Sequence, residues 1–233
     1  MLRLQSFGPA YRALVIGNSG ALGQAFCEQL RNDPGCVLVT ELGRSTTPAL
    51  DLEDPASITA AAQSIAHNGP YHLIVLTSGL LHREGVQPEK ALAALRQEAL
   101  QAVFQVNALG PALVMRDFLP LLDRKGAMAV LSAKVGSIGD NRLGGWYAYR
   151  ASKAALNMLV KTAAIELARQ SPQARLLSLH PGTVQSRLSR PFKGSAAARP
   201  ADKAASELLA VIDRSLPADS GGFFSYSGDR IEW

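Results

Sequence analysis

The run Ala13-Leu14-Val15-Ile16-Gly17-Asn18-Ser19-Gly20-Ala21-Leu22-Gly23 decides the architecture: an apolar stretch passes straight into a glycine-rich turn, and a helical pattern, Gln24 to Leu30, follows at once. Four apolar residues without alternation read as a strand buried on both faces, as in a parallel sheet covered by helices. A glycine turn between strand and helix lets the backbone approach a diphosphate, and the unpaired N–H groups of the helix N-terminus favour negative charge. Gly17, Asn18, Ser19, Gly20, Leu22 and Gly23 are therefore the first candidate cofactor-binding residues.

Outward from this turn, strand-like runs alternate with alanine- and leucine-rich helical segments. After Ala13–Ile16 the runs are Val37–Thr40, a weak Ala49–Leu50, Leu73–Thr77, Ala127–Ser132, Arg175–Leu179 and Gly222–Tyr226. This order predicts an α/β fold, a Rossmann-type doubly wound sheet of about seven mostly parallel strands in a single domain spanning residues 1–233. Apolar residues at three- and four-residue spacing predict two long helices, Glu98–Leu122 and Tyr149–Gln170. Between 186 and 201, Ser, Arg, Pro, Gly and Ala replace any clear period, which predicts a flexible loop that serves as a lid.

Composition narrows the function classes. With 233 residues and 47% hydrophobic content, the chain can bury a core without staples. Cys27 and Cys36 fit neither a disulfide framework nor a zinc site, so no metal is expected and a reducing cytoplasm suits the chain. No stretch of about 18 apolar residues and no cleavable leader is seen, which predicts no membrane association. The net charge of +5 is spread over scattered Lys and Arg with only 6% aromatics, so no nucleic-acid stripe is expected.

Tyr149-Arg150-Ala151-Ser152-Lys153 heads a helical pattern. Residues four apart share a helix face, so the ammonium of Lys153 is expected beside the Tyr149 phenol, favouring its ionised form and lowering its pKa. A phenol so placed gives a proton to a carbonyl oxygen under reduction, or takes one from an alcohol under oxidation. Together with the glycine turn, this Tyr-x-x-x-Lys resembles the short-chain dehydrogenase/reductase family, whose glycine pattern is Gly-x-x-x-Gly-x-Gly. Here Ala21 stands at the middle glycine, with Gly20 beside it.

The resemblance implies a nicotinamide cofactor and assigns further residues. Lys153 would hold the nicotinamide ribose with Tyr149 at hand, and Asn107 would bend its helix and keep a water near the lysine. After the second strand, Arg44 suits a 2′-phosphate, which favours NADP(H) over NAD(H); an earlier strand end would instead put Glu41 at the ribose and reverse the preference. Asp51 and Leu52 match an adenine contact, Asp51 being equally readable as part of a helix N-cap region before Pro55. Gly79 in Thr77-Ser78-Gly79, and Pro181, Gly182 and Val184 after the sixth strand, complete the cofactor set, with Thr183 and Ser186 as added contacts; His180 reads as structural.

One family feature is missing. The serine that binds the substrate oxygen would stand where this chain has Ala133; Ser132, which alternation turns to the opposite face so that it substitutes only if the strand end is bulged or twisted, and Ser137 are the candidate substitutes. The stretch from Val135 to Arg150 and the ending Gly222 to Trp233 resemble C-factor and sniffer-type carbonyl reductases. This implies a small or medium carbonyl or alcohol substrate, Trp146 and Tyr147 as pocket walls or loop packing, and pairing of the two long helices in a homodimer or homotetramer. Arg187, Arg190, Lys193 and Arg199 of the lid read either as an attraction for anionic substrates or as solvated charge. Two other readings stay open: a signalling or regulatory protein that binds cofactor with weakened catalysis, and a pterin-type reductase.

Overall fold

The computed structural model describes residues 3–192 and 198–233. Strand β1 (Tyr11–Ile16) leads through the glycine turn into helix α1 (Ala21–Arg31) and on to β2 (Cys36–Leu42). Helix α2 (Pro55–Ile65) returns the chain to β3 (Tyr71–Leu76) on the other side of β1. Then come α3 (Gln97–Phe104), α4 (Gly110–Phe118), β4 (Leu122–Leu131), α5 (Tyr147–Gln170), β5 (Arg175–His180), α6 (Ala201–Arg214) and β6 (Phe223–Ser225).

The strands run parallel in the order β2-β1-β3-β4-β5-β6. Strand order reverses between β1 and β3, which opens a crevice at their C-terminal ends, where doubly wound sheets bind ligands. Successive side chains go to opposite faces. Ala13, Val15, Leu73, Val75, Leu131, Leu177 and Leu179 pack with α1 and α6, whereas Leu14, Ile16, Ile74, Leu76, Val130 and Leu176 pack with α2, α4 and α5. Burial on both faces explains why these strands read as unbroken apolar runs.

Among the described residues the sheet has six strands, one fewer than expected. Ala49–Leu50 makes no strand, because Pro48 has no N–H to give and the segment contributes one backbone bond toward β2, from the Leu50 N–H to the Gly43 carbonyl at 2.9 Å. The expected helix Glu98–Leu122 is also corrected. It ends at Phe118, and Leu122 already begins β4; Pro120 stops it although the apolar spacing runs on. Within it, residues Gln105–Leu109 form a π turn. Pro111 cannot donate to the carbonyl of Asn107 four residues back, so the helix must widen there. Gly110 lets this turn press on Leu52, whose Cβ and carbonyl oxygen would each lie 2.7 Å from an added Cβ.

Candidate active site

The glycine turn is built by close approaches that only glycine permits. Gly17 has φ +94°, and a Cβ on it would meet Ser78 Oγ at 2.5 Å and Thr77 Oγ1 at 2.7 Å. A Cβ on Gly23 would lie 2.2 Å from the Gly17 carbonyl oxygen. Thr77 then ties β3 to this turn, its hydroxyl bonding to the carbonyls of Ile16 and Gly17 at 3.0 Å each. Helix α1 begins after Gly20 with no side-chain cap and no acidic residue in its first turn, and Ser19 and Gly20 are exposed. Its N-terminus is thus an open cradle for an anion, the arrangement a dinucleotide diphosphate requires.

At the neighbouring strand end, β2 runs on through Leu42, past the expected Thr40, so Glu41 lies inside the strand opposite Val15. Its carboxylate is taken by Arg31 of α1 and by the Asn18 side-chain amide. Gly43 follows, packed so closely that a Cβ would meet Asn18 Oδ1 at 2.5 Å, and the next residue, Arg44, is exposed. Asp51 uses one carboxylate oxygen to accept the Glu53 N–H in its own turn, while Asp54 caps α2. Leu52 is buried, its carbonyl accepting from the Gln105 amide at 2.8 Å.

Tyr149, Lys153, Asn107 and Gly79 are brought together where β3, β4, the π turn and α5 meet. Asn107, fully buried, spans the Leu80 backbone: its Oδ1 accepts the Leu80 N–H at 2.8 Å and its Nδ2 donates to the Leu80 carbonyl at 2.7 Å. The same Nδ2 reaches the Ser152 hydroxyl at 3.1 Å, joining the π turn to α5. Lys153 Nζ donates to the Leu131 carbonyl at 2.9 Å. A Cβ on Gly79 would stand 3.6 Å from both Lys153 Nζ and Asn107 Oδ1, so these groups border one small space.

Burial, rather than mutual charge, sets the titration of the pair. Lys153 Nζ lies 6.0 Å from the Tyr149 ring centre and gives one of its three N–H groups to the Leu131 carbonyl. Burial pushes the tyrosine up to about 12 and the lysine down to about 8. The expected lowering of the Tyr149 pKa is therefore corrected: in this geometry the phenol stays protonated through neutral pH, which suits a proton donor.

Ser132 follows Leu131 without a bulge, its N–H bonded to the Leu179 carbonyl at 2.8 Å. Since Leu131 faces α1 and α6, alternation turns Ser132 toward α5, where its hydroxyl is buried with no partner among the described residues. Ser137 is engaged in its own loop, accepting the Asp140 N–H at 3.1 Å. After β5, Gly182 has φ +74° and packs on the Tyr226 ring, and Val184 is buried with its carbonyl held by Ser189. His180 is pushed down to about 4 by burial and by the charges of Lys134 and Arg199, so it is neutral and a poor base.

Trp146 sits 6.1 Å from Tyr149 and 5.1 Å from Phe192, which in turn meets His82 at 5.5 Å. Tyr147 is exposed. Of the expected lid, residues 186–192 fold into turns held by Ser186 and Ser189, and 199 bridges to 184; Lys193 lies outside the described residues. Arg199 is ion-paired with Glu207 and stacked at 3.6 Å on Tyr226. The contacts of Phe192 with Trp146 and His82 are not legible in the sequence, because neither Phe192 nor His82 belongs to a spaced motif.

The chain is similar to known proteins in sequence and in fold. Residues 30–215 match the family described as Enoyl-(Acyl carrier protein) reductase. The 1-hydroxy-2-glutathionyl-2-methyl-3-butene dehydrogenase of Rhodococcus sp. (strain AD45) is 28% identical, over 94% of this chain and 98% of the relative. C-signal of Myxococcus xanthus is 39% identical over 61% of this chain and 84% of its own. The NADPH-bound carbonyl reductase from chicken fatty liver superposes with a TM-score of 0.84 at 22% identity, covering 97% of this chain and 95% of that one. With its six-stranded doubly wound sheet, glycine turn and Tyr-x-x-x-Lys helix, the chain belongs to the short-chain dehydrogenase/reductase family of nicotinamide-dependent oxidoreductases.

Proposed function

We propose that this chain is an NADPH-dependent oxidoreductase that transfers a hydride between the nicotinamide and a carbonyl or alcohol carbon of a small or medium molecule. The observation that carries the reading is the buried set Tyr149, Lys153 and Asn107, bordered by the exposed Gly79, at the sheet edge that also carries the open N-terminus of α1. The bound nicotinamide would supply the hydride. Gly17 to Gly23 would hold the diphosphate, Asp51 and Leu52 the adenine side, and Pro181, Gly182 and Val184 the carboxamide side.

The residues of the chain then divide the work. Tyr149, neutral at working pH, gives its proton to the oxygen of the reduced carbonyl. Lys153 holds the cofactor ribose. Asn107 keeps the Leu80 backbone and α5 in register around it. Although the strand end carries no bulge, Ser132 already faces α5, the helix of Tyr149, with no partner for its hydroxyl among the described residues, and it would supply the second hydrogen bond to the substrate oxygen that Ala133 cannot. Preference for NADPH rests on Arg44, exposed directly after the β2 end, while Glu41 is held by Arg31 and Asn18.

The 1–233 span is read as one cytoplasmic domain with the 186–201 segment as a lid. Exposed Leu109, Met158 and Ile165 support self-association of the long helices in a homodimer or homotetramer. Ala133 favours a second reading, a cofactor-binding regulatory protein, to which the similarity to C-signal also points. Turnover of NADPH and NADH with a panel of aldehydes, ketones and quinones separates the two. Oxidation of NADPH in preference to NADH is expected; tight NADPH binding with no turnover across the panel would favour the regulatory protein.

A further inference from the structure

Helix α5 starts from an unusual piece of backbone. Gly144, Gly145 and Trp146 are three consecutive residues in the left-handed region, with φ of +63°, +66° and +53°. Two are glycines, but Trp146 carries a side chain there, a conformation that persists only where the surroundings hold it. The helix that follows has no side-chain cap and no acidic residue in its first turn. Its leading N–H groups and positive dipole end therefore need an acceptor from elsewhere in the chain.

Glu89 is that acceptor. Its main-chain carbonyl takes the Trp146 N–H, and its carboxylate Oε2 takes the Ala148 N–H at 3.2 Å. Gly145 packs on the same carbonyl, where a Cβ would sit at 3.4 Å. Glu89 is 5% exposed, and its Oε1 is buried with no partner among the described residues. The segment that delivers it is fixed by a small apolar cluster in which Val86 packs with Ala99 and Val103 of α3 and with Ala148 of α5. Tyr149 is the residue after Ala148, and the Trp146 ring, fixed by the same turn, stands beside it.

We propose that Glu89 is a positioning residue: by clamping the left-handed Gly144–Trp146 turn with its main-chain carbonyl and the first turn of α5 with its carboxylate, it fixes the Tyr149 phenol and the Trp146 ring relative to each other. This inference rests on the reading of Tyr149 as the proton donor. A carboxylate oxygen here accepts at the positive end of the helix, a place that the amide oxygen of a glutamine fills only in part.

The test compares Glu89→Met, of similar volume without a side-chain acceptor, with Glu89→Gln, which keeps one, in the full chain. NADPH oxidation with 4-nitrobenzaldehyde, NADPH titration and amide hydrogen exchange are measured on each. Glu89→Met is expected to lower kcat about 100-fold with the NADPH Kd changed by less than about twofold. It should also release protection of the Ala148 amide, and Glu89→Gln should recover most of both. Full kcat in Glu89→Met would overturn the proposal. If the wild-type protein turns over no carbonyl, the reading of Tyr149 fails, and exchange alone judges the clamp. The same holds if Glu89→Met does not fold: a wild-type Ala148 amide exchanging as fast as an open helix end overturns the clamp.

Discussion

Helices α1 and α5 start from the same edge of the sheet, and neither has a side-chain cap or an acidic residue in its own first turn. At α1 the end stays open: Ser19 and Gly20 are exposed, and the turn is shaped by glycine contacts too close for a Cβ. At α5 the end is closed from a distant segment, the Glu89 carboxylate taking the Ala148 N–H. Unpaired N–H groups thus have two uses. An open end receives an anionic ligand, whereas a closed end holds a reactive side chain still.

The largest effect that can break this comparison is expected at the open end. Gly23→Ala puts a Cβ 2.2 Å from the Gly17 carbonyl and 2.9 Å from Asn18 Cα, both backbone. The turn must shift, with NADPH binding lost and about 1–3 kcal/mol of stability with it; calorimetric titration and a denaturant melt read both. At the closed end, Asn107→Ala strips the Leu80 N–H and carbonyl of their partners. About 1–3 kcal/mol of stability and most of kcat should go, with NADPH affinity nearly kept.

Arg44→Gln sharpens the account of the open end alone. An exposed arginine beside a phosphate should be worth about tenfold in NADPH affinity, with NADH affinity unchanged; equal loss for both cofactors would remove Arg44 as the phosphate reader. The smallest effect is in the pH profile. The Lys153 ammonium, lowered to about 8, is present below that pH and lost above it, while Tyr149 at about 12 stays protonated throughout. The rate of carbonyl reduction is expected to be level below about pH 7 and to fall a few-fold by about pH 9. A limb that does not move in Lys153→Arg would assign it to another group.

Much of the open end was legible in the sequence, because a buried parallel strand followed by glycines and a helix leaves its whole pattern in consecutive residues. Tyr149 and Lys153 were legible for the same reason, being one helical turn apart. What could not be read there depends on contacts between distant residues. Glu89 lies 59 positions from Ala148, and the Thr77 hydroxyl 60 from Gly17. The direction of the Tyr149 shift also escaped, because burial cannot be judged from spacing and Lys153 turns to the Leu131 carbonyl. Proline accounts for both errors of element: Pro48, with no N–H to give, stands at the start of the Ala49–Leu50 run, and Pro120 ends α4 although the apolar period continues to Leu122. By contrast, a π turn stands where the resemblance expects Asn107 to bend its helix, and Pro111 gives the physical cause of that turn.

The most direct measurement is a single-turnover comparison of wild type and Tyr149→Phe, following NADPH absorbance with a saturating carbonyl substrate, with the NADPH dissociation constant taken on the same preparations. Loss of the hydroxyl should reduce the rate of NADPH oxidation by about 100- to 10,000-fold while leaving NADPH binding intact. Equal oxidation by both proteins would contradict Tyr149 as the proton donor, and with it the division between a cofactor end and a chemical end.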